Sequence, residues 1–232
     1  LLGGCVRITL GALNQNKKFI AALRQATKEI NPLLIFDVDG VLLDVSRSYR
    51  RAIKKTSEFF AKKEISFEEI QDYKNKGGLN NDWDLTESII RDKIRDKCFS
   101  FNKNSIIKKF QSYYNKLKNN EKWILNKKLL KRLSRRYNLA ITTGRPKNEV
   151  YCALNKKNAA YYFKNVVAME DVFRQKPNPE GLLKILNKFP NSEAYYFGDS
   201  VDDMKAAASA NITPIGVLPP QDKSLQLKNI LI

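Results

Sequence analysis

Histidine occurs nowhere in the 232 residues. Its absence excludes Ser-His-Asp and Cys-His catalysis, and any metal centre ligated through imidazole. Cysteine is scarce. Cys5, Cys98 and Cys152 are odd in number, scattered, and never spaced as CxxC. That argues against a disulfide framework or a thiolate zinc site, and for a reducing, cytoplasmic setting. No apolar run is long enough to span a bilayer, so no membrane partner is expected. Internal repeats and low-complexity tracts are also lacking. So are an RRM-type aromatic signature, helix-turn-helix spacing and a zinc-finger pattern.

The net charge is +18, which raises the question of nucleic acid. The excess lysine, however, accompanies abundant Asn, Ile, Tyr and Phe, as AT-rich coding produces. A solvated basic surface, or one suited to anionic substrates, is the better reading, and a nucleic-acid-binding module is the rival class. With 43% hydrophobic residues, the chain is globular, long enough for one domain plus a smaller insertion.

The most informative stretch is Leu34-Ile35-Phe36-Asp37-Val38-Asp39-Gly40-Val41-Leu42. A short apolar run bounded by turn residues predicts a buried strand of a parallel sheet. Ligands of open α/β sheets bind beyond the carboxyl ends of the strands, where Asp37 and Asp39 fall. Two carboxylates this close repel each other unless a cation lies by them. With no sulfur or imidazole on offer, a hard oxygen-seeking ion such as Mg²⁺ suits. Asp-x-Asp-Gly is equally a plain polar turn, and three later stretches decide between the two.

Leu139-Ala140-Ile141-Thr142 predicts a second buried strand, ending in Thr143-Gly144-Arg145-Pro146. A hydroxyl and backbone N–H groups there could hold phosphate oxygens, although Thr-Gly also makes ordinary turns. Val166–Met169 predicts a third strand, followed by Lys176-Pro177 and a helix carrying Leu182, Leu183, Ile185 and Leu186. Lys176 could neutralise a phosphate, or be one more surface lysine. Ala194–Phe197 predicts a fourth strand, ending in Gly198-Asp199-Ser200-Val201-Asp202-Asp203 ahead of the small-residue helix Met204–Ala210. Ile215–Val217 closes the core.

Taken in order, the DxDG, TGR, KP and GDxxxD motifs resemble those of the haloacid-dehalogenase superfamily of phosphatases, over about residues 33–218. The resemblance implies a Rossmann-like open parallel sheet with helices on both faces, and a helical type-1 cap inserted between the first two motifs. The expected organisation is a core of 32–44 and 126–232, with a cap over 45–125. By similarity, Asp37 is the nucleophile that forms an aspartyl-phosphate, and Asp39 the general acid/base. Thr143, Gly144, Arg145 and Lys176 hold the phosphoryl group. Mg²⁺ is held by Asp37, Asp39 (through its backbone carbonyl) and Asp199, with Asp203 supporting the metal or Lys176. An aspartate at position 39 marks phosphatases and phosphomutases rather than dehalogenases. Mutases of this group usually bring a cap histidine, so hydrolysis is favoured here.

Within the expected cap, Ser46 is placed to open a helix running to about Lys62, burying Tyr49, Ile53, Phe59 and Phe60. Ser66-Phe67-Glu68-Glu69 reads as a capping box. Lys76–Asp84 reads as a Gly- and Asn-rich loop, either a plain connector or, the favoured reading, a surface on which Asn81 and Trp83 contact substrate. Helices follow through Ile89–Ile94 and Ile106–Leu117, and Leu129, Leu130 and Leu133 mark another.

Residues 1–31 look like a remnant of another domain. Val6–Leu10 reads as a strand without a partner. Asn14 caps a helix with Phe19, Ile20, Leu23, Ala26 and Ile30 on one face, stopped by Asn31-Pro32. The segment resembles the C-terminal end of histidinol-phosphate aminotransferases, with Arg7 at their substrate-carboxylate arginine. That resemblance implies fusion behind an aminotransferase, and histidinol phosphate as the small phosphorylated metabolite. A sugar phosphate or phosphoglycolate is the alternative substrate, and a non-catalytic fusion module the alternative of another class.

Overall fold

The computed structural model describes residues 6–9, 32–79, 81–94 and 102–218. The first compact unit takes Leu1–Asp44 and Trp123–Ile232, and the second takes Val45–Lys122.

The first unit is a Rossmann-like α/β fold around a six-stranded parallel sheet. Its strands are β1 (Val6–Thr9), β2 (Leu33–Phe36), β5 (Asn138–Thr142), β6 (Asn165–Val167), β7 (Ala194–Gly198) and β8 (Thr213–Leu218), in the order β1-β8-β7-β2-β5-β6. β2 sits inside the sheet, and its four residues Leu-Leu-Ile-Phe are fully buried. That explains the unbroken apolar run: a strand covered on both faces has no outward position for a polar residue. Alternate residues face opposite ways. Leu33, Ile35, Ala140, Ala194 and Tyr196 share one core cluster with Leu182 and Ile185 of α7 (Glu180–Leu186) and Ala206 and Ala207 of α8 (Val201–Ser209). Phe36 stacks on Phe197 at 4.8 Å and meets Phe163 edge-on at 6.3 Å. Burying each such side chain stabilises the fold by about 1.5–3 kcal/mol. Between the sheet strands lie α5 (Lys127–Ser134) and α6 (Lys147–Lys156), which bury Leu129, Leu130, Leu133, Val150 and Leu154.

The sheet differs from expectation at its edges. β1, expected to lack a partner, pairs in parallel with β8, Val6 opposite Ile215 and Thr9 opposite Leu218. A parallel strand completes its hydrogen bonds with any open edge of matching direction, so the core sheet itself supplies the neighbour. The helix expected after Asn14 lies outside the described residues. β6 stops at Val167, and Met169 belongs to a 3₁₀ turn, Met169–Asp171. Leu183 points outward on α7, 43% exposed, because Leu182 and Ile185 take the buried face.

The second unit is helical: α1 (Tyr49–Ala61), α2 (Phe67–Lys76), α3 (Asp82–Ile94) and α4 (Lys103–Leu117). The chain leaves the sheet through β3 (Leu43–Asp44) and returns through β4 (Lys122–Trp123). α1 buries Tyr49, Ala52, Ile53, Thr56, Ser57 and Ala61, one stripe at helical spacing. Tyr49 packs against Phe110 and Tyr114 of α4. Ser46 does not open α1, which starts three residues later behind Ser48, whose hydroxyl donates to Glu121 instead of capping. Phe59 and Phe60 fall off the buried stripe, Phe59 being 41% exposed. The Ser66–Glu69 capping box of α2 forms in both directions, a device worth about 1 kcal/mol. Among the described residues no helix is long and apolar enough to cross a membrane.

Candidate active site

The site follows from strand register. Phe36 lies opposite Phe197 on one side and Ile141 on the other. The residues that follow these three, Asp37, Gly198 and Thr142, therefore lie level with one another at the carboxyl ends of the strands. The Asp37 N–H donates to the Phe197 carbonyl at 2.9 Å, carrying the ladder one residue beyond β2. The chain then turns tightly: Leu42 and Leu43 N–H groups return to the Val38 carbonyl at 2.9 and 2.8 Å. Gly40, at φ 76°, makes that turn, in a region where a side chain costs about 1–2 kcal/mol.

Lys176 enters from the loop before α7 and is buried. Its ammonium lies 2.6 Å from Asp203 Oδ1, 3.0 Å from the Tyr196 hydroxyl and 3.1 Å from Asp37 Oδ1. Two hydrogen bonds, to Asp203 and Tyr196, and the ion pair with Asp37 fix its place. Burial opposes the charge on Lys176, but Asp203 and Asp37 outweigh it and hold the group well above the ordinary lysine range. The Asp203 carboxylate is saturated. Oδ1 accepts from Lys176 and from the Tyr196 hydroxyl at 2.8 Å; Oδ2 accepts from the Asp199 and Ser200 N–H groups at 3.2 and 3.1 Å and from the Ser200 hydroxyl at 2.7 Å. The Ser200 hydroxyl in turn accepts from the Asp203 N–H, so Ser200 and Asp203 form the capping box of α8. Burial would raise the Asp203 carboxyl, but Lys176 and these donors bring it below its usual range.

Asp37 stands in the opposite condition. Burial, with Asp203 and Asp39 adding like charge, pushes its carboxyl up to about 7 against the pull of Lys176. Its Oδ1 is buried with no hydrogen bond formed to it. Ligand oxygens of Asp37, Asp199 and Asp203 lie within 4.8 Å of one another. An all-oxygen set with an under-satisfied buried carboxylate fits a hard divalent cation.

The model of the haloacid dehalogenase-like hydrolases matches residues 34–217. The chain belongs to this family. A relative from Phytophthora nicotianae, named imidazoleglycerol-phosphate dehydratase, is 32% identical over 81% of this chain and 43% of its own. The chain thus spans less than half of that relative's length. A phosphorylated carbohydrates phosphatase from Thermotoga maritima is 29% identical over 78% of this chain and 82% of its own. Among solved structures, a phosphatase from Thermococcus thioreducens superposes with a TM-score of 0.59 at 24% identity, covering 86% of this chain and 98% of that one. None of these comparisons supports the expected fusion to an aminotransferase.

Within this haloacid dehalogenase-like core, the expected residues separate into groups. Asp37, Lys176, Asp199 and Asp203 converge as described. Thr143 is buried at the end of β5, its N–H bonded to the Val167 carbonyl and its hydroxyl accepting from the Arg145 N–H at 3.2 Å. Gly144 lies between Thr143 and Arg145, half-buried. The Asp39 carboxylate lies apart from the three that converge, its Oδ1 2.6 Å from Arg145 Nη2; the metal expectation at this position concerns its backbone carbonyl. Arg145 presents no guanidinium surface, since its side chain is sealed from solvent. In the helical unit, Trp83 is in the first turn of α3 and not in a loop, and Asn81 caps that helix, its Oδ1 accepting from the Trp83 N–H at 2.8 Å. The Asn-x-x-Asp string was itself the signal, because Asn before a helix start is a preferred cap.

Tyr196 and Ser200 escaped the sequence reading. A tyrosine inside a fully buried strand needs a hydroxyl partner, and Ser-x-x-Asp ahead of a helix is a capping pattern. Both signals were present.

Proposed function

We propose that this chain is a divalent-metal-dependent phosphatase that hydrolyses a small phosphomonoester through an aspartyl-phosphate, using Mg²⁺. The observation that carries the reading is the state of Asp37: a buried carboxylate pushed up to about 7, with Lys176 3.1 Å away and Asp199 facing the same space. Such a group is costly to keep for stability alone and is suited to covalent work.

A cation held by Asp37 and Asp199 would favour the ionised form of Asp37 and neutralise charge on the phosphoryl oxygens. Lys176, pinned by Asp203 and Tyr196, supplies a fixed positive charge beside the nucleophile. Thr143 and the N–H groups at the end of β5 meet the remaining phosphoryl oxygens. Asp37 Oδ attacks phosphorus as the ester P–O bond breaks, and the leaving oxygen takes its proton from the Asp39 carboxyl. Asp39 then removes a proton from water, whose oxygen displaces Asp37 from phosphorus and releases inorganic phosphate.

For the substrate we favour histidinol phosphate. The Phytophthora relative carries the name of an enzyme for another imidazole-bearing phosphate ester, and a phosphatase of matching substrate class is the simplest companion. A phosphorylated carbohydrate is the second reading, favoured by the Thermotoga relative. The test is phosphate release with Mg²⁺ from histidinol phosphate, hexose phosphates and phosphoglycolate, with Asp37→Asn alongside. Preference for histidinol phosphate, lost in the variant, is the expected result. Preference for a sugar phosphate would remove the substrate assignment. No Mg²⁺-dependent release by folded protein would remove the phosphatase reading.

A further inference from the structure

Each aspartate of the Asp-x-Asp pair has its own cation. Lys176 lies 3.1 Å from Asp37, and Arg145 lies 2.6 Å from Asp39. The two cations differ in setting: Lys176 borders the space that Asp37 and Asp199 face, whereas the Arg145 side chain is 0% exposed and the Asp39 side chain 24%. The Arg145 backbone is also tied down. Its N–H donates to the Thr143 hydroxyl at 3.2 Å, and its carbonyl accepts from the Met169 N–H at 3.1 Å, joining the ends of β5 and β6. Arg145 is thus a rigidly mounted, desolvated guanidinium whose Nη2 donates to Asp39 Oδ1.

From this we infer that Arg145 is a positioning residue for Asp39: it fixes the carboxyl torsion, so that the acid faces the leaving oxygen and afterwards the attacking water. This rests on the phosphatase reading above. A guanidinium suits the task because a planar group held by its buried setting directs its Nη2–H at a fixed angle, whereas a lysine ammonium rotates freely on a flexible stem. It also explains why arginine stands in the phosphate-binding loop without presenting a surface to a ligand.

The two half-reactions need Asp39 differently, which provides the test. An alkyl phosphate requires a proton on its leaving oxygen in the first step, when Asp37–P forms and P–O(alkyl) breaks. A p-nitrophenyl ester leaves as a stable phenolate and needs none. Both require Asp39 in the second step, when water–P forms, Asp37–P breaks, and the water proton passes to Asp39. Arg145→Met and Arg145→Lys are made in the full chain, with folding followed by circular dichroism and thermal melting. With p-nitrophenyl phosphate and Mg²⁺, rapid-mixing measurements should show a burst of about one phenolate per enzyme and then turnover slowed about 10–100-fold, the cost of a misplaced general acid/base. With an alkyl phosphate the burst should be absent and the first step itself slowed.

In an Asp39→Asn background, Arg145→Met should add little further loss on the alkyl ester, since the pair acts as one unit. Equal slowing of phosphoenzyme formation from both esters, or full additivity with Asp39→Asn, would overturn the inference while leaving the phosphatase reading intact. If Arg145→Met does not fold, Arg145→Lys carries the same comparison. Absence of phenolate release by the unmodified protein would instead count against the phosphatase reading.

Discussion

Gly40 and Asp199 are packed so closely that a β-carbon on Gly40 would overlap Asp199 Oδ2. Gly40 also has φ 76°, so position 40 is closed to other residues for two separate reasons. The tight turn after β2 brings the backbone against the carboxylate at the end of β7, and the gap between the two strand ends is set by a missing side chain. Gly40→Ala should cost about 1–2 kcal/mol of stability from backbone strain alone. It should also push Asp199 aside and weaken apparent Mg²⁺ affinity about 10–100-fold, as loss of a ligand's support does. A Mg²⁺ titration read by thermal melting would show it, and an unchanged midpoint would mean Asp199 is not a ligand.

Asp37 should make the metal-free protein pH-sensitive. Its folded-state pKa of about 7 lies above its ordinary 3.8. A raised carboxyl favours the folded state while protonated, and that contribution fades as pH rises through the folded value. In chelator, Asp37→Asn should therefore be more stable than the unmodified chain above about pH 7, by on the order of 4 kcal/mol. The difference should vanish near pH 4. Urea unfolding at several pH values tests this, and Mg²⁺ should narrow the gap at high pH by stabilising the unmodified chain alone.

Asp203 and Tyr196 touch the same lysine but should behave differently. Asp203→Ala takes the nearer of two carboxylates from a buried ammonium and removes the capping box of α8, for a loss of about 3 kcal/mol. Tyr196→Phe removes one hydroxyl while Lys176 and Asp203 keep each other at 2.6 Å, and should cost about 1 kcal/mol. Denaturant midpoints for the two variants, side by side, check the ordering. Equal losses would mean that Lys176 depends on Asp203 no more than on Tyr196.

What could be read in advance divides along physical lines. The strands β2, β5 and β7 are legible because strands buried on both faces are unbroken apolar runs that end where polar residues begin, and there stand Asp37, Thr143 and Asp199. Register was not legible, and register brings Asp37 level with Gly198 and Thr142. Helix starts were legible where capping is reciprocal, as at Ser66 and Glu69, and misplaced where several polar residues compete, as at Ser46 and Ser48. The edge pairing of β1 depends on which sheet has an open edge, a tertiary fact. Arg145 was picked out as a site residue, but its partner is more than a hundred positions away in the chain, and no local pattern names it.

Glu180 offers a further check on how Lys176 is held. Its carboxylate accepts from the Phe173 and Arg174 N–H groups at 3.0 and 2.9 Å, so the first residue of α7 clasps the loop that carries Lys176. These two backbone donors, with Lys184 beside it, bring the carboxyl down to about 2. A lowered carboxylate contributes fully above its ordinary value and loses that contribution as pH falls through the folded one. Glu180→Ala should thus speed hydrogen exchange at the Phe173 and Arg174 amides at neutral pH while the amides of β7 keep their protection. It should also lower turnover more than it raises KM, because a looser loop places the Lys176 charge less well in the transition state than in the bound substrate. Faster exchange with unchanged turnover would show that Asp203 and Tyr196 alone fix the lysine, and that the clasp serves the loop and not the site.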